Sequence, residues 1–144
     1  MSMEETQHAI IEDFALLDGD REMSVMYLMD LGEKLPPLAE PHKIDENLVK
    51  GCQSKVWLVA ELKKDRVYFS ADSNTAITKG LVSLLIRVFN GHLPEEIVSA
   101  DLFFMKEIGM DRFIGTQRSN GFAAMIQRMK QHAHTFQAQT GVKA

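Results

Sequence analysis

The hydrophobic spacing changes twice along this chain, from helical to alternating and back to helical, and that order restricts the fold more than any other feature. Ile10, Ile11, Phe14 and Leu17 fall at helical spacing, and Asp18-Gly19-Asp20 closes the run with turn residues. Val25, Met26, Leu28, Met29 and Leu31 form a second set ending at Gly32, with Leu35 extending its face and Asp20 or Ser24 as the cap. Val56, Leu58, Ala60 and Leu62 then alternate with Lys55, Trp57, Val59 and Glu61, which is the period of a strand. Residues 63–66 are a polar turn, and Val67-Tyr68-Phe69 is rich in strand formers, so a β-hairpin is predicted over 55–70. Helical spacing returns with Ile77, Leu81, Leu84, Leu85 and Val88, and Asn90-Gly91 stops it. Val82 and Ile86 make the other side of this helix apolar too, as befits a central core helix. Pro94-Glu95-Glu96 opens a short helix, and another short piece is predicted within 101–108. A last long helix begins between Thr116 and Ser119, burying Phe122, Met125, Ile126, Met129, Ala133 and Phe136, with a polar tail expected to fray after Gln137.

Helices, a hairpin, then helices imply an α+β single domain, with helices packed on a small antiparallel β-sheet. The expected divisions of residues 1–144 are N-terminal helices over 1–34, a loop over 35–53 carrying Cys52, the hairpin over 55–70 and helices over 73–137. The loop holds three of the four prolines, Pro36, Pro37 and Pro41. Proline lacks a helix donor and restricts its predecessor, so this stretch is irregular, and loops of this length are often functional.

Composition narrows the function classes. A net charge of -4 argues against a duplex nucleic-acid partner, which needs a basic surplus to displace counterions from phosphates. No apolar run approaches the roughly 20 residues that span a bilayer. The acidic start Met1-Ser2-Met3-Glu4-Glu5 is not a secretory leader, so a cytoplasmic protein is expected. The single cysteine, Cys52, allows no intramolecular disulfide and does not supply the several thiolates of Cys-rich zinc or iron–sulfur sites. No metal or other cofactor is expected.

Cys52 is the sharpest candidate for chemistry. It follows Gly51, between a proline-bearing loop and a strand, and has Lys50 and Lys55 close in sequence. A positive neighbour favours the nucleophilic thiolate, of which an unperturbed cysteine has only about 3% at pH 7. Against this stands the habit of free cysteine to be a small buried hydrophobe. The polar neighbours Lys50, Gln53 and Ser54 weigh against that reading. The histidines offer little: His132 and His134 point to different helix faces, and no metal spacing occurs.

The run Gly51-Cys52-Gln53-Ser54-Lys55-Val56-Trp57 resembles the signature of the SufE family of sulfur acceptor proteins. Gly32-Glu33-Lys34-Leu35-Pro36 resembles that family's first helix-to-loop junction. Asp72-Ser73 with Ile77 and Lys79-Gly80-Leu81 resembles the start of its central helix, and Arg118-Ser119-Asn120-Gly121 the start of its last helix. The pieces occur in the family's order over nearly the whole chain.

The resemblance implies an α+β fold related to that of the U-type cluster scaffolds. It implies a carrier whose cysteine takes persulfide sulfur from a pyridoxal-phosphate cysteine desulfurase of the SufS or CsdA kind, stimulates it, and passes the sulfur to an iron–sulfur scaffold. Gly51-Cys52-Gln53-Ser54 leans toward the SufS kind. Such a protein is enzyme-like only in its covalent intermediate. Cys52 is then the persulfide-forming nucleophile, held on a movable loop, with Arg118, Gln53, Asp72 and Lys55 in support. Arg118 would offset negative sulfur, or else face solvent; Gln117 stands before it where the family often has serine. Asp72 would cap the central helix or shape the surface around the cysteine loop. Trp57 reads as sheet packing in preference to partner contact. The reading from a different class is a stand-alone cysteine hydrolase, with His42 as its base. The oligomeric state stays open, a homodimer included.

Overall fold

The computed structural model describes residues 1–140. Helices α1 (Met3–Ala15) and α2 (Arg21–Lys34) come first, joined by a turn, and both pack on the core helix that follows the hairpin. Each begins on a side-chain cap: Ser2 Oγ accepts from the Glu5 N–H, and Asp20 Oδ1 accepts from the Met23 N–H at 2.9 Å. Ser24, the alternative cap, is instead buried inside α2 and donates to the Asp20 carbonyl.

The arm that follows is irregular, as its prolines require, with two 3-10 turns at Glu40–His42 and Asp45–Asn47. It leads through Gly51 and Cys52 into strand β1 (Val56–Lys63), which pairs antiparallel with β2 (Arg66–Ser73). The register sets Val56 opposite Ser73 and Lys63 opposite Arg66, so β2 runs past the predicted end at 70. Outside the hairpin, Leu48 bridges to Trp57 on one edge and His92 to Val67 on the other.

Helix α3 (Ala76–Phe89) is the core helix. Leu81, Val82, Leu84, Leu85 and Val88 are all buried, so both of its sides face protein, as the sequence predicts. Two glycines bring α2 against it. A Cβ on Gly80 would collide with the Leu28 carbonyl, and one on Gly32 with the Ala76 carbonyl. Only bare backbone permits this approach. Short helices α4 (Pro94–Val98) and α5 (Phe104–Glu107) follow. Buried Gln7 of α1 anchors the segment between them: its Oε1 accepts from the Phe103 and Phe104 N–H groups and its Nε2 donates to the Asp101 carbonyl.

The last helix, α6 (Met110–Thr140), is broken at Gly115, whose φ of 85° is a conformation other residues rarely adopt. Its longer part therefore starts where the sequence places it. The helix continues beyond Gln137 to Thr140, and the rest of the tail predicted to fray lies outside the described residues. The architecture is α+β: helices packed on a two-stranded antiparallel sheet. No helix among the described residues is long and apolar enough to cross a membrane.

Candidate functional site

Cys52 sits where the arm meets the hairpin, half-buried against α6. Gly51 precedes it with φ of 97°, turning the chain so that Cys52 meets the helix. The thiol donates to the Gly121 carbonyl, Sγ to O 3.3 Å. Gly121 leaves the room for this contact, since a Cβ there would stand 3.3 Å from Sγ.

Beside the thiol lies a cavity of about 340 Å³. Cys52, Gln53 and Ser54 form one wall, Thr78 and Leu81 of α3 a second, and the broken region of α6 from Ile114 to Arg118 a third. The loop is held to α3 by hydroxyls: Thr75 Oγ1 lies 3.3 Å from Ser54 Oγ and 2.8 Å from buried Thr78 Oγ1. Arg118 lines the cavity and is exposed, with its guanidinium donating to the Ile114 carbonyl at 3.1 Å.

Two expectations are corrected. The first concerns the charge around Cys52. Lys50 and Lys55 are exposed and neither lines the cavity. Lys55 is tied through its backbone to Asn74, whose Oδ1 accepts its N–H at 3.1 Å. Burial pushes the Cys52 thiol above its ordinary value of 9.0, the opposite of the lowering that neighbouring lysines would bring. The second concerns Asp72. Thr75 holds the N-cap position of α3 and no side chain caps it. Asp72 belongs to β2 and is only 4% exposed. Its carboxylate accepts from the N–H groups of Ser73 at 2.8 Å and Leu38 at 3.2 Å. Lys43 Nζ lies 3.3 Å away and Lys79 Nζ 3.4 Å. Burial would raise its pKa, but these hydrogen bonds and cations outweigh burial and hold the carboxyl below the ordinary range. Asp72 thus pins the proline-bearing arm to the sheet and to α3.

Arg128 of α6 fixes the same arm from the other side, donating to the Leu48 carbonyl at 3.0 Å and the Glu46 carbonyl at 2.8 Å. Nothing in the sequence marks it, since its partners are about 80 positions away. Gly115 had a legible signal, a glycine just ahead of the predicted helix start. Trp57 is half-buried in β1, with the Lys43 ammonium 5.6 Å from its ring centre. His42 is exposed in its 3-10 turn. No histidine, aspartate or glutamate lines the cavity among the described residues, so a cysteine–base pair is not assembled there.

The ordered motifs and this architecture accord with comparison to known families: the family described as SufE, Fe-S metabolism associated domain, matches residues 8–133. The chain belongs to the SufE family. An uncharacterised SufE-like protein of Rhizobium etli is 38% identical over 129 residues, covering 86% of each chain. One of Rhizobium meliloti is 37% identical over 129 residues, covering 86% of this chain and 91% of its own. The solution structure of a hypothetical protein from Thermus thermophilus superposes with a TM-score of 0.75 at 19% identity, covering 92% of this chain and 96% of that one. That likeness is one of fold. The family's description links the domain to Fe-S metabolism.

Proposed function

We propose that this SufE-family chain is a sulfur acceptor and carrier that receives persulfide sulfur on Cys52 from a pyridoxal-phosphate cysteine desulfurase, of the SufS kind, stimulates that enzyme, and passes the sulfur on for iron–sulfur cluster assembly. The observation that carries the reading is a lone thiol at the edge of a three-walled cavity, on the signature Gly51-Cys52-Gln53-Ser54.

The chemistry is exchange at sulfur. The Cys52 thiolate attacks the outer sulfur of the donor's persulfide, a new S–S bond forms on Cys52, and the donor's S–S bond breaks to leave its cysteine as a thiolate. One added sulfur is small against a cavity of about 340 Å³. No second cysteine of the same chain is present to turn the persulfide into a disulfide and release sulfide.

The contact with Gly121 suits a resting state. A thiol donates to that carbonyl; a thiolate has nothing to donate and faces the negative end of its dipole. The nucleophilic form is therefore favoured only when Cys52 turns away from α6 toward the cavity mouth or a partner. The turn at Gly51 is the natural pivot. Arg118, on the cavity wall, is the cation best placed to meet negative sulfur there, with Gln53 beside it. Asp72 supports indirectly by fixing the arm.

Incubation with such a desulfurase and free cysteine should add the mass of one sulfur to the wild-type chain and speed cysteine turnover, and Cys52→Ser should abolish both. A wild-type chain that neither gains sulfur nor stimulates the enzyme would end this reading.

A further inference from the structure

The N-terminal helix pair carries a surface that the sulfur chemistry does not use. Residues 1–34 contain nine acidic side chains and two basic ones, Arg21 and Lys34. The whole chain has 20 and 16, so the remainder holds 11 acidic and 14 basic side chains. The acidity is thus concentrated in residues 1–34.

The outer face of α2 combines that charge with exposed apolar surface. Ser24, Leu28 and Gly32 point inward and are buried. At roughly 100° per residue, Glu22, Met23, Met26, Met29, Asp30 and Glu33 all fall on the opposite side within an arc of about 120°. All six are exposed, and the three methionines keep 50%, 59% and 40% of their surface in water. No basic residue lies among them. Large apolar side chains grouped in this way mark an interaction site more often than an idle surface. Methionine is unbranched and polarisable, and surfaces built from it adapt to varied apolar partners.

We propose that this face of α2 is a docking site for a basic amphipathic helix of another protein. Charge complementarity selects the occupant. The acids are interleaved with the methionines on one arc, so an occupant has to bring apolar and cationic side chains mixed on one face. An amphipathic helix rich in leucine and lysine does so. Nucleic acid and anionic lipid carry the wrong sign. The face spans about 16 Å along α2, three turns of a partner helix. None of its six residues lines the cavity at Cys52, so a partner held here leaves the thiol free.

The test uses the full chain with methyl-labelled methionine and, as probe, a synthetic leucine–lysine amphipathic helix of about 18 residues, at physiological salt. The methyl signals of Met23, Met26 and Met29 should shift on titration, while those of Met105 and Met110 stay in place. A leucine–glutamate peptide of the same design should not bind. Glu22→Lys/Asp30→Lys/Glu33→Lys should weaken binding about tenfold or more. Met23→Ser/Met26→Ser/Met29→Ser should also weaken it, with circular dichroism and the rate of Cys52 alkylation unchanged in both variants. Unaltered binding to the serine variant would reduce the face to bulk electrostatics and overturn the proposal. Shifts centred elsewhere, or sedimentation showing that the face instead pairs two copies of this chain, would overturn it equally.

Discussion

The Cys52 thiol donates to the carbonyl of Gly121 at 3.3 Å, across 69 positions of sequence, in a gap that one further methyl group would close. Gly121→Ala should therefore push Cys52 a few tenths of an ångström off α6 and lengthen and weaken its hydrogen bond. The loop can yield, so overall stability should change little. Iodoacetamide should alkylate Cys52 several-fold faster in the variant than in wild type. Equal rates would mean that the Gly121 contact does not hold the thiol back.

Burial raises the Cys52 pKa, and the sign of the consequence is fixed. A thiol whose folded pKa lies above its unfolded one contributes stability in full below the unfolded value, near 9.0, and loses it as pH rises through the folded value. Denaturant midpoints measured from pH 7 to 10.5 should fall more for wild type than for Cys52→Ser at the alkaline end. The pH profile of alkylation should have its midpoint above 9.0.

Asp72→Asn leaves Lys43 and Lys79 without their shared buried partner and weakens two backbone contacts. A loss of about 2–3 kcal/mol is expected at pH 7, read by urea denaturation. Because the Asp72 carboxyl is held below its ordinary value of 3.8, its contribution is present above that pH and disappears as pH falls through the folded pKa. The gap between wild type and variant should close in strong acid.

Arg128→Met removes the donor for the Glu46 and Leu48 carbonyls while keeping much of the side-chain volume. Amide hydrogen exchange should quicken across the arm and spare the centre of α3. Faster exchange everywhere would instead indicate global destabilisation.

Gly80→Ala sets a Cβ against the Leu28 carbonyl, where no flexible side chain can move aside. The α2–α3 pair must separate, at a cost of about 3 kcal/mol or more. Thermal melting of the variant is the direct check, and a melting temperature equal to wild type would refute the close backbone approach.

The elements that bury a continuous apolar stripe were legible before the structure. Leu81, Leu84, Leu85 and Val88 announce α3 by period alone, and Val56 and Leu58 announce β1. The signature around Cys52 led to the residue that lines the cavity. Its electrostatics were not legible, because nearness in sequence put Lys50 and Lys55 beside a thiol that the fold turns toward α6. Asp72 misled for a related reason. An acid just ahead of a helix pattern reads as a cap, yet β2 continues through it and long-range partners at Leu38 and Lys43 take its oxygens. Arg128 and Gln7 bind carbonyls and N–H groups far away in sequence, and local pattern holds no trace of such contacts.

The two bridges that flank the hairpin have a consequence for the protein in solution. A two-stranded sheet has two open rims, each able to recruit a further strand from a neighbouring molecule. Here Leu48 and Val49 occupy part of the rim of β1, the Val49 N–H donating to the Val56 carbonyl at 2.8 Å. Asn90, Gly91 and His92 occupy part of the rim of β2, where the Phe69 N–H donates to Asn90 Oδ1 and the Val67 N–H to the His92 carbonyl. Some of the backbone groups that would template cross-β growth are thus already spent within the chain. Those stretches of each rim are closed to edge-to-edge pairing with a neighbouring molecule.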